Sequence, residues 1–186
     1  MRRTRGRRWF LVFGIGAALV ASRGRAERLG PDAKLPDVVL ITFKTAFPKA
    51  EIGKVDTSEE NGVTVYDFEF KEGKAEKETD IAADGTLLEF TLVIAAKVVP
   101  APAMKAIRRA AQGAKLGRLE KIEIGYETKD GNVVKLPEVV TQYAAEMARG
   151  SRRAEVVVAA DGAVIESPRW AGGEEEKAKA AGNEGK

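Results

Sequence analysis

The stretch Ile81-Ala-Ala-Asp84-Gly85-Thr-Leu-Leu-Glu89 comes back 77 residues later as Val158-Ala-Ala-Asp161-Gly162-Ala-Val-Ile-Glu166, and no other feature limits the possible folds so tightly. A segment repeated at one spacing reads as one structural unit written twice, each copy burying its apolar face against a neighbour. Carried backwards, the same offset pairs Val63-Thr-Val-Tyr66 with Val140-Thr-Gln-Tyr143, and Glu69, Gly73 and Glu78 with Glu146, Gly150 and Glu155. Eleven of 27 aligned positions are identical, enough to fix the register between the copies. Upstream the offset becomes 64, aligning Leu35-Pro36 with Val99-Pro100, so the second copy carries 13 extra residues between Gly125 and Val139. A unit of about 60 residues buries only ~60% of its unfolded surface and is marginal alone, which predicts that the two copies pack together.

Within each copy the spacing of apolar residues predicts a helix followed by four strands. Pro36 suits a first helical turn, Val39, Phe43, Ala46 and Phe47 form one apolar stripe, and Pro48 ends it. The β-branched run Val38-Val-Leu-Ile-Thr42 also suits a strand, but the aligned segment Pro100 to Gln112 is rich in strong helix formers and stops at Gly113, which decides for helix. Strands are expected near 51–58, 63–70, 75–82 and 86–93, turning at Glu60-Asn61-Gly62, Glu72-Gly73 and Asp84-Gly85. Tyr66, Phe68 and Phe70 alternate with Val65, Asp67 and Glu69, so one sheet face lies under the helix and the other is wet. Tyr143, Ala145 and Met147 do the same in the second copy. The expected fold class is α+β: two tandem helix-plus-four-stranded antiparallel sheet repeats, 35–97 and 98–168, packed as one unit, with an inserted hairpin near 125–139 in the second.

The ends read differently. Residues 1–26 have the three parts of a secretory signal: Arg2, Arg3, Arg5, Arg7 and Arg8, then an apolar run from Trp9 to Ser22, then small residues ending at Ala26. A 14-residue apolar run is short of the roughly 20 that a stable membrane helix needs, so cleavage near Ala26-Glu27 and no lasting anchor are expected. Arg7-Arg8-Trp9-Phe10-Leu11 also resembles a twin-arginine export pattern, with Gly6 where Ser or Thr is usual; the general secretory route is favoured. Residues 27–34 read as a leader and 169–186 as a disordered tail, since beyond Ala171 no apolar side chain is larger than Ala. The destination is the periplasm or the exterior of a bacterium. Without 1–26 the chain carries 24 basic and 28 acidic residues, a net −4, which removes the lasting basic patch that nucleic-acid binding needs.

The chain has no cysteine and no histidine, which excludes disulfides, thiol nucleophiles, Ser-His-Asp triads, and His- or thiolate-held metals. Asp84-Gly85, Asp130-Gly131 and Asp161-Gly162 lack the alternating oxygen ligands of a calcium loop and read as tight turns. No catalytic, cofactor or metal residue is assigned and no enzyme activity is expected. Asp67, Glu69, Glu76, Glu78 and Asp80 are expected on the exposed face of the first copy, either as a solvated face that discourages edge pairing or as a recognition surface. The aligned positions of the second copy hold Ala144, Glu146, Arg153, Glu155 and Val157, so the acidity is one-sided. Tyr126, Lys129 and Asp130 on the inserted hairpin are candidates for specific contact, with Tyr126 as an aromatic anchor.

The residues Leu35-Pro36, Phe43, Phe47-Pro48, Ala50, Tyr66 and Asp84-Gly85, with Val99-Pro100, Ile107, Ala114, Tyr143 and Asp161-Gly162, together resemble the PepSY-like family, which includes relatives of the β-lactamase inhibitory protein. The resemblance covers about residues 35–168 and consists of fold-making residues. It implies a non-enzymatic module whose sheet face or loops contact another protein of the envelope, with no cofactor. The inhibitor's disulfides have no equivalent, and inhibition of β-lactamase is not implied. The alternative reading is a structural protein, or one that sequesters a cation or cell-wall ligand, without a protein partner.

Overall fold

The structure, a computed structural model, describes residues 27–28 and 35–172. Helix α1 (Asp37–Ala46) starts after Pro36 with Asp37 at the positive end of the helix dipole, and it buries Val39 and Phe43. Its last turn closes with the Phe47 N–H donating to the Phe43 carbonyl at 2.8 Å. Helix α2 (Ala101–Ala111) has Pro100 and Pro102 about its first turn, where missing N–H groups cost nothing, and buries Ala103, Ile107 and Ala111 along one stripe. It stops where Gln112 and Gly113 take left-handed backbone, φ 46° and 80°.

The strands are β1 (Glu27–Arg28), β2 (Glu51–Glu60), β3 (Val63–Glu72), β4 (Ala75–Ala82), β5 (Leu87–Val93), β6 (Lys115–Lys129), β7 (Asn132–Arg149), β8 (Arg152–Ala159) and β9 (Val164–Glu166). They form one continuous sheet in chain order, each strand antiparallel to the next. This corrects the expected fold class. The chain does not build two packed helix-plus-four-strand repeats; the described residues are mostly β, with two short α-helices laid on one long sheet. The pairing of β5 with β6, from Glu89↔Ile124 to Val93↔Glu120, overturns the expectation. A strand ending a sheet leaves a row of unpaired N–H and C=O groups, and joining edge to edge satisfies them.

Both helices cover the same face. Under α1, Phe43 stacks on Phe68 with ring centroids 4.5 Å apart, and Phe47 lies 4.6 Å from Phe70 and 5.5 Å from Phe90. Under α2, Ile107 and Ala111 join Leu119, Tyr143, Ala145, Met147, Val156 and Val158. Trp170 packs against this second cluster, 4.8 Å beneath the Arg149 guanidinium, and Ala171 exchanges two 2.8 Å backbone hydrogen bonds with Arg153. The segment from 169 was expected to be tail, so its first residues instead close the fold over the β7–β8 turn. Glu27 and Arg28, expected in the leader, pair with Thr57 and Asp56. The remainder of the leader, the expected signal 1–26 and the tail beyond 172 lie outside the described residues.

The opposite face is covered by the chain's longest hairpin. Ile124 pairs with Val140 but Tyr126 pairs with Lys135, so Gly125 alone opposes residues 136–139 and the hairpin bends there. The distal arm, Tyr126 to Lys135, lies back over the sheet: Tyr126 and Val133 pack on Val63, Val65, Ala82 and Leu88, while Leu136 packs on Ile122, Ile124, Ala144 and Val157.

Gly162 shows how closely α2 meets the sheet end. Its φ is +91°, and a Cβ there would lie 2.7 Å from the Pro102 carbonyl oxygen, whereas Gly73, at φ +58°, has open space around it. Gly73→Ala is expected to cost only the left-handed strain, about 1–2 kcal/mol, and Gly162→Ala roughly 3 kcal/mol once the backbone clash is added. Urea unfolding of the two variants checks the order.

Candidate functional site

The face opposite the helices carries a transverse row of carboxylates set by strand register. Asp56 on β2 pairs with Asp67 on β3, Asp67 with Asp80 on β4, and Asp80 with Glu89 on β5. One position along, Lys54, Glu69 and Glu78 form a second row, and Glu76 lies opposite Lys71 at the end of β3. The five acids singled out from the sequence therefore share one face, but their surroundings differ.

Glu69 and Glu78 are neutralised. The Lys54 ammonium donates to Glu69 at 3.1 Å and also holds Asp56. Arg118 on β6 donates to Glu78 at 2.8 Å and stands 2.7 Å from the buried Glu120 and 3.8 Å from Glu146, so one guanidinium gathers acids from three strands. Glu76 is the most outward of the five, and the Lys71 ammonium approaches it at 3.8 Å. Asp67 and Asp80 are sunk between their neighbours. Burial first, then the Glu78 and Glu69 carboxylates, push the Asp67 pKa up to about 7 against the opposing pull of Lys54. For Asp80, burial followed by Glu89, Asp67, Glu60 and Glu78 drives it well above the usual carboxylate range. Among the described residues, one Asp67 carboxylate oxygen has no hydrogen-bond partner.

The arm closes over one end of this row. Its tip turns at Asp130 and Gly131, φ 51° and 77°, and meets the β2–β3 turn at Asn61 and Gly62, φ 50° and 83°. Both are tight hairpin turns of the type favoured by Asn-Gly and Asp-Gly. The Asn61 side-chain amide donates to the Thr128 carbonyl at 2.8 Å and to its hydroxyl at 3.1 Å, and the Gly131 N–H donates to the Asn61 carbonyl at 2.7 Å. Beneath this clasp, Glu60, Asp80, Leu88, Glu89, Tyr126, Glu127 and Thr128 line a cavity of about 10 Å³, room for one water. Tyr126 therefore faces inward beneath the arm, while Lys129 and Asp130 are exposed at its tip.

Sequence reasoning missed Lys54, Arg118, Glu89 and the Asn61–Thr128 clasp. Glu89 could have been placed by counting back through the Asp84-Gly85 turn onto Asp80. Arg118 could not, because it reaches Glu78 only through the β5–β6 pairing. No group of His, Cys, Asp or Glu among the described residues is arranged to hold a metal ion.

The fold is similar to that of several solved structures. No protein-family model and no curated protein matches it. Among solved structures, a Bacteroides eggerthii protein described as periplasmic is similar at TM-score 0.53 and 15% identity, over 74% of this chain and 90% of that one. A DUF2874 family protein from Bacteroides uniformis is similar at TM-score 0.52 and 15% identity, over 73% and 88%. A BLIP-like protein from Bacteroides fragilis is similar at TM-score 0.50 and 11% identity, over 77% and 93%. At these identities the likeness is one of fold. No helix among the described residues is long and apolar enough to cross a membrane.

The raised carboxyls make stability depend on pH with a definite sign. Asp67 binds its proton more tightly folded than unfolded, where its pKa is about 3.9, so its contribution is fully present below about pH 4 and is lost as pH rises through about 7. Asp67→Asn removes the charge and keeps the shape. It is expected to stabilise the protein at pH 8 by roughly 1–3 kcal/mol and to have little effect at pH 4. Thermal unfolding at the two pH values checks this.

Proposed function

We propose that the chain is an exported, non-enzymatic, PepSY-like module of the cell envelope that binds another protein. The observation that carries this reading is the arm tip. Lys129 and Asp130 project into solvent from a turn held by three hydrogen bonds to the β2–β3 turn. A projection already ordered loses little entropy on binding, which favours recognition of a macromolecular surface.

In this reading Lys129 and Asp130 make the specific contact, with Tyr126 supporting them from beneath. Asp67, Glu69, Glu76, Glu78 and Asp80 give that side of the sheet its acidic character. Glu76 and the half-neutralised pairs around Lys54 and Arg118 attract a partner carrying positive charge, an effect screened over ~10 Å at 0.1 M salt. Export is supported by the signal-like pattern of 1–26 and by the periplasmic description of a structural neighbour. The BLIP-like neighbour supports protein binding as the kind of function, and it names no partner for this chain.

A photo-cross-linking residue at position 129 and, separately, at position 44 on the outer side of α1 tests the proposal in envelope extract. Position 129 is expected to give one defined adduct that excess unlabelled protein competes away and that Asp130→Arg abolishes; position 44 should give none. No adduct at 129, or the same adducts from both positions, would sink the proposal.

A further inference from the structure

We propose that the arm is a strap whose closure over the carboxylate row is linked to proton uptake, so that it is held shut in acidic surroundings and released as pH rises. The strap works in the free protein, and its shut form is the one that presents the ordered tip on which the proposed function rests. Three observations place a movable element over a titrating one. The arm has a hinge, because Gly125 alone opposes residues 136–139 and the ladder is interrupted between Ile124 and Tyr126. It has a catch, the three hydrogen bonds joining Asn61 to Thr128 and Gly131. What it covers is a cavity the size of one water, lined by Glu60, Asp80 and Glu89 from the sheet and by Tyr126, Glu127 and Thr128 of the arm.

Charged residues on several strands surround this cavity. From β2 come Lys54, Asp56 and Glu60; from β3, Asp67 and Glu69; from β4, Glu78 and Asp80; from β5, Glu89. β6 brings Glu127 above the row and Arg118 beside it, and β7 brings Lys135, exposed and paired in register with Tyr126. β1 sets Arg28 at the register position of Asp56. The bases Lys54 and Arg118 are engaged with Asp56, Glu69, Glu78 and Glu120. Deprotonating Asp80 beneath the closed arm puts its charge beside Asp67 and Glu89 in a space with room for one water, and lifting the arm admits more water to it.

The sign follows from the same groups. With the arm shut, burial and neighbouring carboxylates raise Asp67 to about 7 and Asp80 well above its usual range. Lifting the arm readmits water and relieves the desolvation that is the largest cause at Asp80, so its pKa falls, while the neighbouring sheet carboxylates stay in place. Protons therefore favour the shut form; that preference is complete below the open-state value and fades as pH rises through the closed-state values. Opening would uncover Val63, Val65 and Leu88, together with the underside of Tyr126, as an apolar patch edged by acids.

The chain lacks cysteine, so Glu59→Cys and Lys129→Cys place two spin labels uniquely, on exposed positions either side of the catch. Electron–electron distance measurement should show one short distance at pH 4.5 and a longer population that grows toward pH 8. The open-to-shut ratio should rise by up to about tenfold per pH unit for each carboxyl released. Asp67→Asn with Asp80→Asn should hold the short distance at pH 8. An unchanged distance distribution between pH 4.5 and 8 in the parent, or a pH response that survives the double substitution, would overturn the strap. Should the double variant not fold, the parent titration alone decides.

Discussion

The ladder between β5 and β6 is the interaction on which the rest of the structure depends. Its five paired positions, Glu89↔Ile124 to Val93↔Glu120, turn the strands that follow α1 and those that follow α2 into one sheet. Each side of that seam would otherwise end in a bare edge, and each would be near the lower size limit for a stable core. Because the sheet is continuous, its two faces are continuous as well. The helices take one of them, with Phe43 and Phe68 stacked at one end and Ile107 against Val156 and Val158 at the other.

Among the described residues the other face carries no helix, and the consequences follow from what covers it. Ile122, Ile124, Ala144 and Val157 on that side need burial, as do Val63, Val65, Ala82 and Leu88, and the arm of β6 and β7 supplies it. The same register that aligns these apolar residues also aligns Asp56, Asp67, Asp80 and Glu89. Across the seam, Arg118 reaches Glu78 and binds the buried Glu120. Where a base is within reach the acids are paired; at Asp67 and Asp80 burial and neighbouring carboxylates raise the pKa instead. The acidic character of this face is therefore partly spent on holding the sheet together, and its outward remainder is concentrated at Glu76 and about the arm tip.

Much of the local structure was legible in the sequence. Pro36, Val39 and Phe43 marked α1, Pro100 and Gly113 bounded α2, and the Asn-Gly and Asp-Gly pairs marked the turns, because helix caps and left-handed turn positions are set by residues close in the chain. The shared face of Asp67, Glu69, Glu76, Glu78 and Asp80 was also legible from strand alternation. The continuous sheet was not. Whether Glu89 pairs with Ile124 or ends a separate sheet is decided by edge satisfaction across an intervening helix, which no short-range pattern records. For the same reason the exposed face expected for Asp67 and Asp80 is in fact partly covered, and Tyr126, expected as an outward anchor, lies beneath the arm. Extra residues between Gly125 and Val139 could be recognised from spacing, but their fold back onto Asn61 depends on contacts 67 residues apart in sequence.

The central claim is that the seam makes one cooperative sheet. Native-state amide hydrogen exchange tests it most directly, comparing the paired amides of Glu89–Val93 and Glu120–Ile124 with those in the β3–β4 and β7–β8 ladders. A single sheet predicts that the most protected amides in all three regions exchange with the same opening free energy and the same denaturant dependence, through global unfolding. Distinct opening energies for the strands on the two sides, with the seam amides exchanging through the weaker side, would show two units that merely abut and would contradict the account.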